Sequence, residues 1–248
     1  MLIEPTLEKL RAMKLSTMAE ELVDQQQKPD RGELGFEERL GLLVDAEFLA
    51  RENRRRERLL REAQLKQSRA SLEDVDYAAR RSLDKTLMRR LATGTWIHEH
   101  HNVVISGATG TGKTYIACAL GQQACRRGYR VLYRRASRLF QELLLARADG
   151  TYPRMLAKLT RRDLLIIDDW ALTPVQEQER LDLLEILEDR TENRSTLLTS
   201  QLPPGKWHEQ IGDPTLADAI LDRVLHRAYK IALKGPSMRK ENERQKEN

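Results

Sequence analysis

The chain has 248 residues, 40% hydrophobic and 33% charged, enough apolar mass for a real core under a strongly charged surface. Lys and Arg outnumber Asp and Glu, 43 against 38, and this net charge of +5 permits nucleic-acid binding without demanding it. No apolar run nears the ~20 residues of a membrane span, charges throughout Met1–Lys28 leave no secretory signal, and Cys118 and Cys125 are too few for a disulfide framework or a zinc site, so a cytoplasmic protein is expected.

From Thr6 to Gln27, Leu7, Leu10, Met13, Leu15, Met18, Leu22 and Val23 recur mostly at three- and four-residue steps, which predicts a helix. Lys28-Pro29-Asp30-Arg31-Gly32 breaks it. A longer helix is predicted over Phe36–Leu65, with an apolar stripe of Leu40, Leu43, Val44, Phe48, Leu59 and Leu60. Its Arg51–Glu62 stretch interleaves arginines with Glu52, Glu57 and Glu62 at helical pairing distances. That pattern reads as a structural helix surface, with DNA or a neighbouring subunit as the other possible partners. Two helices bury little surface alone, so residues 1–67 are expected to be a small helical domain packed on a neighbour or another subunit.

Residues 68–248 have a different texture. Ser71-Leu72-Glu73-Asp74 resembles a helix capping box, and a helix over Lys85–Thr93 follows. Short strands are then expected at Val103–Ser106, Tyr129–Tyr133, Leu164–Asp168, Ser195–Ser200 and Ala228–Leu233. Between them fall helices at Thr114–Arg126, Ser137–Ala148, Gln176–Arg190 and Leu216–Leu225. The alternation implies a five-stranded parallel sheet covered on both faces. Cys118 and Cys125, seven residues apart, fall on one buried helix face.

Gly107-Ala108-Thr109-Gly110-Thr111-Gly112-Lys113-Thr114 fits G-x-x-x-x-G-K-[ST] without a mismatch, with a strand before it and a helix after it. The glycines let main-chain N–H groups turn inward around phosphate oxygens. Lys113 would neutralise the β- and γ-phosphates of ATP, and Thr114 would offer its hydroxyl to Mg²⁺. A second acidic strand, Asp163–Asp169, follows. Asp168 would hold the Mg²⁺ shell through water. Asp169 would orient or activate the attacking water, or serve as a helix cap or second metal-shell ligand. At the tip of the next strand Ser200 or Gln201 would reach the γ-phosphate, or both shape the Pro203-Pro204 turn. Arg223, late on a helix, is a candidate finger for a neighbouring subunit's ATP, with a surface ion pair as the alternative.

These residues together resemble an ATPase of the AAA+ superfamily and, more narrowly, the IstB-like helper ATPases of insertion sequences. The marks are Phe36-Glu37-Glu38-Arg39-Leu40, Trp96-Ile97, the phosphate loop, Leu164–Trp170, Ser200-Gln201-Leu202-Pro203, Leu216–Arg223 and Leu233–Lys240. The resemblance implies an Mg²⁺-dependent ATPase that assembles as a homo-oligomer on double-stranded DNA, helps choose the target site and stimulates a DDE-type transposase. It implies strand order 5-1-4-3-2, with residues 1–67 serving oligomerisation, DNA or transposase contact. Asp169 stands where the superfamily commonly has glutamate, and about 15 residues follow the last strand, too few for the usual helical lid. Arg239 is a candidate substitute for a lid arginine. A helicase loader acting in replication initiation is the alternative function, although no Cys/His cluster precedes His98. A nucleotide-gated scaffold without turnover is the third.

Between His100 and Gln141 lie seven Lys/Arg and no Asp or Glu. Lys113 belongs to ATP. Of the others, Arg134, Arg135 and Arg138 are expected beyond a strand end, where they would meet DNA phosphates together with Arg154 and Lys158, or form a solvated basic face. Aromatic residues are only 5%, which argues against base stacking on single strands and for backbone-led duplex binding.

Overall fold

A computed structural model describes residues 3–27, 34–77 and 81–238. The break expected at 28–32 and the polar end that includes Arg239 lie outside them. The chain divides into two compact units, Met1–Arg58 and Leu59–Asn248. Leu59 and Ala63 are buried in the core of the second unit, where Cys125 Sγ lies 3.7 Å from the Leu59 carbonyl.

The first unit holds α1 (Glu4–Ala12), α2 (Ser16–Gln27) and most of α3 (Phe36–Ala63). The helix expected over Thr6–Gln27 is thus two. Lys14 turns to φ 60°, and the Leu15 N–H bonds back to Leu10 O at 2.8 Å, which closes α1 before Ser16 opens α2. The arginine run on α3 is used internally at its start. Glu47, only 4% exposed, accepts the Met18 N–H at 3.0 Å and pairs with Arg51 at 2.9 Å and Arg54 at 3.1 Å. Arg51 also donates to Lys14 O at 3.1 Å. Leu40, Val44 and Phe48, predicted to be an apolar seam, stay exposed within the chain.

Burial alone would raise the Glu47 carboxyl, but the Met18 amide and the Arg51 and Arg54 guanidinium groups hold it below its ordinary 4.5. A lowered folded value stabilises the fold above the unfolded value and loses that contribution as pH falls through the folded one. Wild type should therefore melt above Glu47→Gln at pH 7, and the difference should shrink as pH falls through the lowered folded value. Thermal melts across pH would show this; a gap that persists at low pH would contradict it.

The second unit is a sheet wrapped in helices. Its helices before the sheet are α4 (Lys85–Ala92) and α5 (Thr95–His98). The sheet then alternates with further helices: β1 (Asn102–Gly107), α6 (Lys113–Arg126), β2 (Val131–Arg135), α7 (Ala136–Ala148), α8 (Tyr152–Thr160), β3 (Leu164–Trp170), α9 (Glu177–Arg190), β4 (Ser195–Ser200), α10 (Trp207–Ile211), α11 (Pro214–Leu225) and β5 (Ala228–Leu233). All pairings are parallel and the order is β2-β3-β4-β1-β5, the expected order read from the other edge. Alternate strand residues face opposite layers. Ile105, Val131, Ile166 and Leu197 pack with α6, α4 and α5; Val104, Leu132, Leu165, Ile167 and Leu198 pack with α7, α8, α9, α10 and α11. Burial on both faces explains the unbroken apolar runs.

Three local expectations change. Ser71–Asp74 does not open a helix: the Ser71 hydroxyl is held by Glu73 and its N–H donates to Tyr115 Oη at 3.3 Å. The cap is Asp84, which accepts from Thr86 N at 2.7 Å and Leu87 N at 3.3 Å. β2 starts two residues later than predicted, because Tyr129 N–H still closes the end of α6 on Ala124 O and Asp163 caps Arg130 N–H at 2.8 Å. α8, opened by Pro153 in its first turn, has no counterpart in the sequence reading. Cys118 and Cys125 are both buried on α6, and burial pushes their thiols up to about 11 and about 12, so neither is a ready nucleophile. Among the described residues no helical lid follows β5, and no helix is long and apolar enough to cross a membrane.

Candidate nucleotide-binding site

The phosphate loop leaves the carboxyl end of β1 and enters α6 at Lys113. Gly110 (φ 88°) and Gly112 (φ 94°) take left-handed backbone that a side chain would strain. Thr111 Oγ1 donates to Ala108 O at 2.9 Å and Lys113 Nζ to the same carbonyl at 2.9 Å, so the loop is shaped from within. The first N–H groups of a helix have no partner within it, so the start of α6 is suited to an anion. Beyond β5, Met238 N–H donates to Gly110 O at 2.9 Å, so residues 234–238 close over one side of the loop. The loop borders a cleft of about 570 Å³, within the range of small-ligand sites. Thr109, Gly110, Gly112, Lys113 and Thr114 line one wall, and Arg135, Asp169 and Gln201 another.

Asp168 is fully buried and gathers three hydroxyls. Thr114 Oγ1 lies 3.0 and 3.1 Å from its two oxygens, Tyr133 Oη donates at 2.6 Å and Thr199 Oγ1 at 2.5 Å. Burial, then the Asp168 carboxylate, holds the Tyr133 phenol well above its ordinary value, so it remains a donor. Thr114 and Asp168 present hard oxygen donors side by side, suited to Mg²⁺ with phosphate and water completing its shell. Among the described residues no group of three His, Cys, Asp or Glu could hold a metal without such help.

Asp169 owes its direction to a β-bulge. Between Ile167 and Trp170 the β3–β4 register slips, and Asp169 adopts φ 58°. Its N–H donates to Thr199 Oγ1 at 3.0 Å, and its carboxylate faces the cleft in an ion pair with Arg135 at 3.0 Å.

Several predicted site residues sit differently. Ser200 is fully buried, donates to Trp170 O at 2.9 Å and accepts Leu202 N–H at 3.2 Å, so it shapes the turn and cannot reach a phosphate; Gln201 is the tip residue on the cleft. Thr199, one residue earlier, is the polar group on the Asp168 side. Arg134 belongs to β2 and is buried, bonded to Glu142 at 2.9 Å, Gln64 at 2.6 Å and Tyr133 O at 2.8 Å, which takes it off any DNA-facing surface. Arg135, also in the strand, points into the nucleotide cleft. Arg138 is exposed beside Glu142 at 3.1 Å, and Arg154 and Lys158 are exposed on α8. Arg223 pairs with Glu188 at 2.7 Å, and its carbonyl accepts Asn102 Nδ2 at 3.0 Å, at the amino end of β1. Six residues of strand, ~20 Å, separate that end from the phosphate loop, so Arg223 cannot touch its own subunit's nucleotide.

The sheet order is that of an AAA+ P-loop core, with the phosphate loop at the mouth of a cleft. The structure resembles the crystal structure of DnaI, with TM-score 0.58 and 23% identity over 72% of this chain and 94% of that one. It also resembles AMPPCP-bound DnaA from Aquifex aeolicus, with TM-score 0.57 and 22% identity over 72% of this chain and 55% of that one. The family described as IstB-like ATP binding protein matches residues 8–246. A protein of Sinorhizobium fredii named as an insertion sequence ATP-binding protein is 49% identical over 246 residues, 99% of this chain and all of the relative. The chain belongs to the IstB-like ATP binding proteins.

Proposed function

We propose that the chain is an Mg²⁺-dependent ATPase that assembles as a homo-oligomer on duplex DNA, helps select the target site and stimulates a DDE-type transposase, with hydrolysis controlling the assembly. The observation that carries this reading is the near full-length likeness to an insertion sequence ATP-binding protein, in a chain whose phosphate loop and acidic strand meet at one cleft. Lys113 would hold the β- and γ-phosphates, and Thr114 and Asp168 the metal shell. Asp169 would take the proton of the attacking water once Arg135 releases it. Arg223 would complete a neighbour's site. Arg138, Arg154 and Lys158 remain the residues for DNA phosphates. Residues 1–67 would serve subunit, DNA or transposase contact.

The test combines DNA binding with strand transfer. With ATP, wild type should bind duplexes of unrelated sequence, and affinity should fall steeply with salt. Asp169→Asn should keep ATP but lose turnover, since an amide cannot accept the proton, and should accumulate on DNA while still recruiting transposase. Replacing Arg138, Arg154 and Lys158 by alanine should flatten the logarithmic salt dependence by up to about three and leave ATP binding intact. Duplex binding that ignores ATP, or normal hydrolysis by Asp169→Asn, would refute the reading. Loading of a replicative helicase without effect on the transposase would assign the protein to loaders instead.

A further inference from the structure

Arg81 lies ahead of the sheet and belongs to none of the motifs that define the site. It is 4% exposed and lines the nucleotide cleft with Gly112 and Lys113. Its main chain is fixed: the Lys234 N–H donates to the Arg81 carbonyl at 3.0 Å, tying this segment to the chain just beyond β5. One guanidinium nitrogen, Nη2, donates to Asp76 O at 2.6 Å. The second, Nη1, lies against the phosphate loop, 2.7 Å from where a Cβ on Gly112 would stand. Nε is buried with no hydrogen-bond partner among the described residues.

A buried cation with an unsatisfied donor is costly unless an anion completes it. The loop beside Gly112 is the part that cradles α- and β-phosphates. We infer that Arg81 is a second nucleotide-binding cation, which clamps the α/β-diphosphate of the nucleotide beside Gly112. The inference rests on the cleft being the ATP site. A guanidinium suits this task because its planar fork meets two phosphate oxygens together while its stem stays packed. Through its bond to Asp76 O and the Lys234 amide, the same residue would make the order of the 71–77 segment and of the chain after β5 depend on a bound diphosphate. Arg81 is a binding residue here, distinct from Lys113, which reaches toward the γ-phosphate, and from Arg223, which belongs to the neighbour.

Titration calorimetry with ATP, ADP and adenosine tests the assignment on the full chain. Arg81→Met keeps the length of the stem and removes the charge. It should lose about tenfold or more in affinity for ATP and for ADP alike, the loss expected of a charge-assisted bond, with adenosine binding unchanged. Arg81→Lys, the milder change should the first variant fold poorly, keeps the charge without the fork. It should lose several-fold for ADP and nothing for adenosine. Wild type that fails to bind ADP would sink the ATP-site reading itself. Wild type that binds while both variants bind ADP equally well would overturn only the role of Arg81. An equal loss for adenosine and ADP would also overturn it, since that is what a purely structural residue produces.

Discussion

Replacing Lys113 by alanine should abolish tight ATP binding. The side chain is 94% buried, its Nζ is held on the Ala108 carbonyl at 2.9 Å, and it sits at the amino end of α6 beside the cleft. Removing it leaves the phosphates in a partly desolvated cradle without their nearest countercharge. Removal of one partner from a buried ion pair costs about 3–5 kcal/mol, which is a hundredfold or more in affinity. The loop itself should survive, because Gly110 and Gly112 set its backbone and Thr111 closes on Ala108 O independently of Lys113. Calorimetry should therefore show the loss while the thermal midpoint without nucleotide stays near wild type. Unchanged ATP affinity would refute the phosphate-loop assignment, and DNA binding that survives the substitution would detach assembly from nucleotide.

The phosphate loop was legible because its chemistry is local: glycine spacing, lysine and threonine form one uninterrupted stretch between an apolar strand and a helix. Asp168 followed from the same logic at the end of a buried strand. What lay outside reach depended on register. Counting by twos along β4 from Leu197, which packs toward α6, puts Thr199 on the Asp168 side and turns Ser200 toward Trp170, so the strand's own period carried the signal for Thr199 over Ser200. Arg134 falls beyond the predicted strand because β2 begins two residues later than its apolar pattern suggests, and that shift moves it from the surface to the interior. No pattern announces the bulge that redirects Asp169, since it exists only as a mismatch between β3 and β4. Arg81 carries no motif at all, and its place beside Gly112 depends on a segment that the sequence reading took for a helix start.

Arg223 should act across a subunit boundary, and mixing two inactive variants should reveal it. Arg223→Ala keeps the phosphate loop, and Lys113→Ala keeps the arginine; each alone should be nearly inactive, the first because loss of such a finger costs about 10³–10⁵ in turnover. The geometry explains why one subunit cannot serve itself. α11 delivers Arg223 to the start of β1, its guanidinium rests on Ala219 O at 2.9 Å and Glu188, and the phosphate loop opens at the other end of the same strand. A trans role needs a head-to-tail assembly that brings the end of one subunit's α11 to the next subunit's cleft. Glu188 then becomes a competitor that must yield to the phosphates, and an exposed pair of this kind is weak enough to do so. Equal mixing should place an intact loop beside an intact arginine at about a quarter of the interfaces, restoring a corresponding part of the ATPase rate. Adding DNA should raise that recovery by bringing subunits together. If mixed oligomers form on DNA and no turnover returns, Arg223 works in its own subunit's structure and the trans assignment fails.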